Sequence, residues 1–181
     1  MHLHEMKYLY ILLVIIYYQN TMTIFDSELH SSTNNWKIVN DNVMGGLSKS
    51  KVLIKESSNP VFSGHVSLEN NGGFAMCQYH FDKLEMNNFS KFIIKVKGDG
   101  KNYQFRVKEN ALDSHSYISS FKTTGEWQKI EIPFNEMFPS FRGRRLNMPN
   151  YEGNKIEMVA FLIGNKKEEN FQLEIESIKA I

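Results

Sequence analysis

Asp41 and Glu69 are two carboxylates whose surroundings suggest more than surface solvation. Each sits in a polar run that leads to paired glycines: Val39-Asn40-Asp41-Asn42-Val43-Met44-Gly45-Gly46-Leu47-Ser48 and Ser67-Leu68-Glu69-Asn70-Asn71-Gly72-Gly73-Phe74-Ala75-Met76. Two acids held about 5–10 Å apart across a cleft are the equipment of a glycosidase, so a small hydrolase is one reading. Asparagine and aspartate beside glycine also satisfy their own backbone in tight turns, which is a second. Charge appears in two more places that packing alone would not choose. One is Arg106, on the polar side of an alternating run; the other is Phe138-Pro139-Ser140-Phe141-Arg142-Gly143-Arg144-Arg145. Buried charge costs several kcal/mol unless it is paired. The expectation is therefore a mutual network of Asp41 and Glu69 with Asn40, Asn70, Asn71, Arg106, Arg142 and Arg144. Such a network would either brace the fold or line a recognition site.

Other chemistries find little footing. The chain shows no Ser/His/Asp order, P-loop, Gly-x-Gly-x-x-Gly fingerprint or Cys/His metal spacing. Its six histidines, His2, His4, His30, His65, His80 and His115, are scattered, so neither a metal nor another cofactor is expected, and the chain does not read as an enzyme. The single cysteine, Cys77, lies in an apolar run and reads as a small buried hydrophobe; a chain without disulfides fits a reducing compartment. Lys and Arg number 21 against 20 Asp and Glu, a net charge of +1. That balance carries no electrostatic footprint for nucleic acid.

The elements that must position these residues are strands. Tyr103 to Lys108 alternates, with Tyr103, Phe105 and Val107 on one side and Gln104, Arg106 and Lys108 on the other. The same period of two appears over Val61–Glu69, Trp127–Pro133 and Phe171–Ile178, with Pro133 marking an edge or a terminus. Lys91–Lys97 is rich in β-branched and aromatic residues. Glu157–Gly164 is an almost unbroken apolar run, as a strand covered on both faces would be. Roughly eight to ten short strands separated by Gly and Asn turns point to an all-β fold, an antiparallel β-sandwich or jelly roll. The stretch from Phe134 to Lys155 reads as the one long irregular connection, and loops of that length are commonly functional or mobile.

The first 21 residues are set apart from this domain, which the sequence places at 22–181. Residues 8–18, YLYILLVIIYY, have the length of a signal-peptide core and are short for a membrane span. They read as a membrane anchor or export signal, as an extension ahead of a true start at Met22 or Met6, or as an N-terminal strand or helix. The chain would be cytoplasmic from Met22, and anchored or exported otherwise, with membrane contact only through residues 8–18.

The motif runs from Trp36 to Ser48 and from Ser67 to Ala75 resemble the complex I intermediate-associated protein 30 family. So do Lys97-Gly98-Asp99-Gly100-Lys101-Asn102-Tyr103, Trp127, Pro133-Phe134, Phe141-Arg142-Gly143-Arg144, Phe161-Leu162-Ile163 and Phe171-Gln172-Leu173-Glu174-Ile175. The resemblance implies a galactose-binding-like β-sandwich akin to carbohydrate-binding modules. It also implies a non-catalytic role, since mitochondrial members are chaperones for assembly of respiratory NADH:ubiquinone oxidoreductase. Two positions depart from the family's habit: Asn42 stands where glycine is common, and Gln78 where an arginine often follows the Gly-Gly-Phe-Ala run. If that arginine pairs with an acid in relatives, Asp41 or Glu69 is less neutralised here.

The leading expectation is a binding module for a protein partner, a respiratory-complex subunit or intermediate among the choices; a carbohydrate-binding module is the alternative. Its site would comprise Asn40, Asp41, Met44, Gly45, Gly46, Ser48, Glu69, Asn70, Asn71, Arg106, Phe141, Arg142 and Arg144. The carboxamides and acids would hydrogen-bond, the arginines would pair charge, and Met44 and Phe141 would add apolar contact. A sugar reader would show Trp or Tyr exposed beside the polar cluster, and a hydrolase would hold one carboxyl of raised pKa in a cleft.

Overall fold

Alternation of apolar and polar residues produces strands that bury one face and wet the other, and here it produces two sheets. In the computed structural model, which describes residues 20–30, 32–54 and 58–181, the strands run in chain order as follows. They are β1 (Met22–Asp26), β2 (Trp36–Asn40), β3 (Lys49–Ile54), β4 (Pro60–Val66), β5 (Ala75–Glu85), β6 (Lys91–Lys97) and β7 (Asn102–Lys108). Then come β8 (Ser116–Lys122), β9 (Trp127–Pro133), β10 (Phe138–Phe141), β11 (Arg144–Arg145), β12 (Lys155–Ile163) and β13 (Glu169–Ala180). One sheet has the order β3-β4-β13-β6-β9, with β1 also paired to β13; the other has the order β11-β10-β8-β7-β12-β5-β2. Every strand pairing within the two sheets is antiparallel. The fold is an all-β, two-sheet sandwich.

The core lies between the sheets. Phe62, Phe92, Ile94, Val96, Leu173 and Ile175 come from the six-stranded sheet, and Cys77, Phe105, Val107, Val159 and Phe161 from the seven-stranded one, all fully buried. Phe92 meets Phe105 edge to face across the gap, ring centroids 5.3 Å apart. Each such side chain contributes about 1.5–3 kcal/mol by leaving water. Burial also pushes the Cys77 thiol well above the usual thiol range, so it packs as a small hydrophobe.

Strands β6 and β9 have the bounds that alternation predicts, and β9 is the sheet edge that Pro133 announced. The 157–164 run lies in β12 up to Ile163, leaving Gly164 outside, and is buried on both faces from Met158 to Ile163. The 61–69 run stops earlier, at Val66. The backbone of Ser67 has left the ladder for the Ser48 hydroxyl, which accepts its N–H at 3.0 Å, with the Ser67 carbonyl 3.3 Å from the same oxygen. More strands form than the eight to ten expected, because short ones such as β10 and β11 carry too few residues to show a period.

The Phe134–Lys155 connection is the main correction. It is not an irregular loop: Phe138–Phe141 pairs with β8 on one side and with Arg144–Arg145 on the other. Tyr151 then pins its far end, fully buried against Phe134 (centroids 4.9 Å apart), Tyr117 (5.3 Å) and Phe92 (6.1 Å). A proline at 139 and an arginine-rich turn hid this order from a pattern reading. Residues 8–18 lie outside the described residues; among the described ones no helix is long and apolar enough to cross a membrane.

Tyr151 therefore holds the 134–155 stretch by packing. Tyr151→Ala is expected to lower unfolding free energy by about 3–5 kcal/mol in denaturant titration. Tyr151→Phe should lose about 1 kcal/mol, since its hydroxyl donates only to the Lys155 carbonyl, at 3.2 Å.

Candidate functional site

Asp41 follows β2 directly and opens a single 3-10 turn, Asp41–Met44. The residue is 1% exposed, and a buried carboxylate needs donors. Its Oδ1 accepts the Ser48 N–H at 3.0 Å. Its Oδ2 accepts the Ser48 hydroxyl at 2.5 Å, the Gly73 N–H at 2.7 Å and the Phe74 N–H at 3.3 Å. Burial alone pushes this carboxyl up, but the Ser48 hydroxyl and the amides of Gly73, Phe74 and Ser48 outweigh it and hold the group below the usual carboxylate range.

This arrangement explains the glycines. A Cβ on Gly46 would collide with the Asp41 carboxyl carbon and Oδ1, and one on Gly72 would reach to 2.7 Å from Oδ2. Gly45 closes the 3-10 turn with φ +88°, a left-handed conformation that glycine adopts freely. Asn70 and Asn71 are also left-handed, at φ 54° and 60°, which asparagine tolerates better than most residues. Asn40 accepts a bond from the Ser50 hydroxyl at 2.7 Å. The two motif runs thus fold around one buried anion.

Asp99 does similar work at the β6–β7 turn. It accepts Tyr103 Oη at 2.9 Å, Lys101 Nζ at 2.7 Å and the Gln172 N–H at 2.9 Å. Burial again pushes up, and these partners outweigh it to hold the carboxyl low.

The expected network of acids, carboxamides and arginines does not form. Glu69, Asn70 and Asn71 are exposed, in a 3-10 turn of their own. Phe141, Arg142 and Arg144 are exposed at the β10–β11 turn, where Arg142 lies over the Phe141 ring at 5.3 Å. That turn extends one edge of the seven-stranded sheet, while Asp41 follows the strand at the opposite edge. Six strand spacings separate the edges, on the order of 29 Å. The backbone amides of Asp41's own loops replace the arginines, so its charge does not depend on residue 78. Gln78 lies elsewhere, beside His80, with Nε2 of the imidazole 3.1 Å from its Oε1. Nor do Asp41 and Glu69 form a hydrolase pair, since one is held ionised by donors and the other faces solvent. The backbone of Met44 lies in the Asp41 turn; its side chain falls outside what is described.

Arg106 alone among the expected residues points into an organised surface. Register places it on the outward face of the seven-stranded sheet, opposite Ala160 on one side and Ile118 on the other. The same row continues to Gln78 and Lys37 in one direction and to Phe138 in the other. Flanking rows hold Val39, Met76, Leu162, Gln104 and Ser120, and His80, Met158 and Lys108. Met158, Ala160, Leu162 and Ile118 are nearly or fully buried, yet none belongs to the core between the sheets. They form a floor shaded by the long polar side chains beside them.

Arg106 donates from Nε and Nη2 to Gln104 Oε1, at 3.0 and 2.6 Å. Burial lowers its pKa to about 10. Lys108 donates to the carbonyls of Asp113, at 2.6 Å, and Ala111, at 3.4 Å. Burial lowers the His80 pKa, and Lys37 and Lys108 add to the effect. Alternation had placed Gln104, Arg106 and Lys108 together, but Lys37, Gln78, His80, Phe138 and Arg145 join them only through cross-strand register. Among the described residues, no group of three or more His, Cys, Asp or Glu is placed to hold a metal ion.

Asp41→Ala should destabilise the protein by on the order of 3 kcal/mol or more, because several buried donors lose their acceptor. Asp41→Asn, which keeps one acceptor oxygen, should lose less. The depressed carboxyl contributes stability that is full above its ordinary value of 3.8 and is lost as pH falls below it. Urea midpoints measured against pH should therefore fall below pH 3.8 more steeply for the wild type than for Asp41→Asn.

The fold is shared with carbohydrate-binding modules. The family 11 module of the cellulosomal cellulase Lic26A-Cel5E of Clostridium thermocellum superposes with a TM-score of 0.65 at 18% identity, covering 90% of this chain and 94% of that one. The family 11 module from Clostridium thermocellum in complex with a β-1,3-1,4-mixed-linked tetrasaccharide gives 0.64 at 17%, covering 89% and 95%. A family 29 module variant complexed with cellulohexaose gives 0.55 at 7%, covering 89% of each chain. At such identities the likeness is one of fold. The sequence model of complex I intermediate-associated protein 30 matches residues 25–175, and the chain belongs to that family.

Proposed function

We propose that this chain is a non-catalytic binding module that engages a protein partner through the outward face of its seven-stranded sheet. The family's description, that of a protein associated with complex I intermediates, makes a subunit or intermediate of respiratory NADH:ubiquinone oxidoreductase the partner to test first. One observation carries the reading. The face sets long polar and cationic side chains over an apolar layer of Met158, Ala160, Leu162 and Ile118, which they cover and which a partner that displaces them would meet.

A sugar-binding reading rests on the fold's likeness to modules seen with oligosaccharides. The ring this face presents is Phe138, which the Arg145 guanidinium covers at 4.8 Å from its centroid. No Trp or Tyr among the described residues adds the stacking platform that such a site uses. Tyr79, Tyr103, Tyr117, Tyr151 and Trp36 are all core residues. Trp127, 38% exposed, stands on the edge strand of the other sheet with Lys95 over its ring at 5.9 Å. The catalytic alternative loses its acid pair, as described above.

The test is capture from detergent-solubilised native membranes with the wild type, Gln78→Trp and Lys51→Trp. Gln78→Trp fills the floor from within the face; Lys51→Trp puts the same bulk on the opposite sheet. NADH:ubiquinone oxidoreductase subunits should be recovered by the wild type and Lys51→Trp and lost by Gln78→Trp. Equal recovery by both variants overturns the face assignment. Recovery of none by the wild type, together with binding of the mixed-linked tetrasaccharide or cellohexaose, replaces the protein partner by a carbohydrate.

A further inference from the structure

The charge on this face is one-sided. Lys37 and Arg106 lie in one row, and Arg145 pairs with Ser140 one row away but leans back over the Phe138 ring, 4.8 Å from its centroid. Lys108 lies in the flanking row and has the Asp113 carboxylate acting on it from the turn after β7, so it is partly neutralised. The three rows described above contain no Asp or Glu. Among the described residues, none of the ion pairs uses Lys37, Arg106, Lys108 or Arg145. Arg106 is the sharpest case, because it is half-buried and its hydrogen-bonding partner is the neutral Gln104 amide. Gln104 accepts from Nε and Nη2 and so fixes the plane of the guanidinium, leaving Nη1 and its remaining donors for an incoming group. A fixed planar fork recognises carboxylates better than a mobile ammonium does.

The strand order gives the spacing. β7, which carries Arg106, is the fourth of seven strands; β2, with Lys37, and β11, with Arg145, are the two edges. Lys37 is three strand steps from Arg106, roughly 14 Å; β11 is as far on the other side, with the Arg145 guanidinium reaching back from it over Phe138 of β10. An extended peptide rises about 3.3 Å per residue, so that distance is about four residues and keeps successive contacts on one side of the peptide. Resting on the protein-partner reading above, we propose that the partner docks as an extended acidic segment of about nine residues laid across the strands, with its central carboxylate on Arg106 and flanking acids near Lys37 and Arg145. Ala160 and Ile118 lie directly beside Arg106 in this row, both buried, so nothing bulky rises there to block the segment. The face offers no Trp or Tyr to stack a sugar, which favours a polypeptide over an acidic polysaccharide.

The probe is a synthetic nonapeptide with Glu at its first, fifth and ninth positions and Ala and Ser elsewhere. Its binding to the full chain is followed by calorimetry and by amide chemical shifts. Controls are the same peptide with Gln for Glu, an oligoglucuronate, and Lys95→Ala, a cation on the other sheet. The acidic peptide should bind, weaken as salt is raised, shift Gln78, Gln104 and Ser120, and lose about tenfold or more with Arg106→Ala. Arg106→Gln guards against a folding defect in the alanine variant and should lose as much, whereas Lys95→Ala should leave binding unchanged. Equal binding by Arg106→Ala, equal binding of the Gln peptide, or binding of the oligoglucuronate alone overturns the proposal. If membrane capture still depends on the face while the acidic peptide fails to compete, the acidic-segment proposal falls and the protein-partner reading stands. If the wild type captures no protein, that reading falls first.

Discussion

A buried carboxylate held by backbone amides is the constraint around which this sandwich is arranged. Asp41 lies where the chain leaves the seven-stranded sheet after β2, and Ser48 lies where it enters the six-stranded sheet at β3. Ser67 follows β4 on the way back, and Gly73 and Phe74 precede β5. One anion therefore joins two crossings between the sheets. Asp99 does the same at the β6–β7 crossing, bonding Gln172 of one sheet and Tyr103 of the other. A chain that changes sheets exposes backbone donors with no ladder to pair them, and burying those donors unpaired is costly. An ionised acid at the crossing satisfies several at once.

Placing the anions at the crossings separates folding from recognition. The residues that make the motif runs distinctive are engaged with one another and with backbone. The outward face of the seven-stranded sheet takes no part in those crossings; its side chains project from strands whose other side is already packed. Such a face can change its chemistry without disturbing either anion.

Much of the fold was legible in the sequence, and the reasons are physical. A period of two over Lys91–Lys97, Tyr103–Lys108 and Trp127–Pro133 marks strands because one side of each is packed. The unbroken apolar run of β12 marks the strand with both sides covered. The family resemblance was carried by motif runs that turn out to be crossing chemistry. What stayed hidden depended on register. That Lys37, Gln78, Arg106 and Phe138 form one line follows from five strand pairings, the widest joining Gln78 to Ala160. Grouping Asp41 with the arginines failed for a related reason: a sequence lists charged side chains but not backbone amides, and amides hold this anion.

The position of β13 carries a consequence for how the protein is made. The last strand of the chain is the middle of its sheet, with β4 and β1 on one side and β6 on the other. Until residues 169–180 have emerged, the six-stranded sheet has no centre, and β1 has no partner in it. Folding of this half must then wait for β13, and the strands that precede it spend that interval with edges unpaired and apolar surface open to other chains.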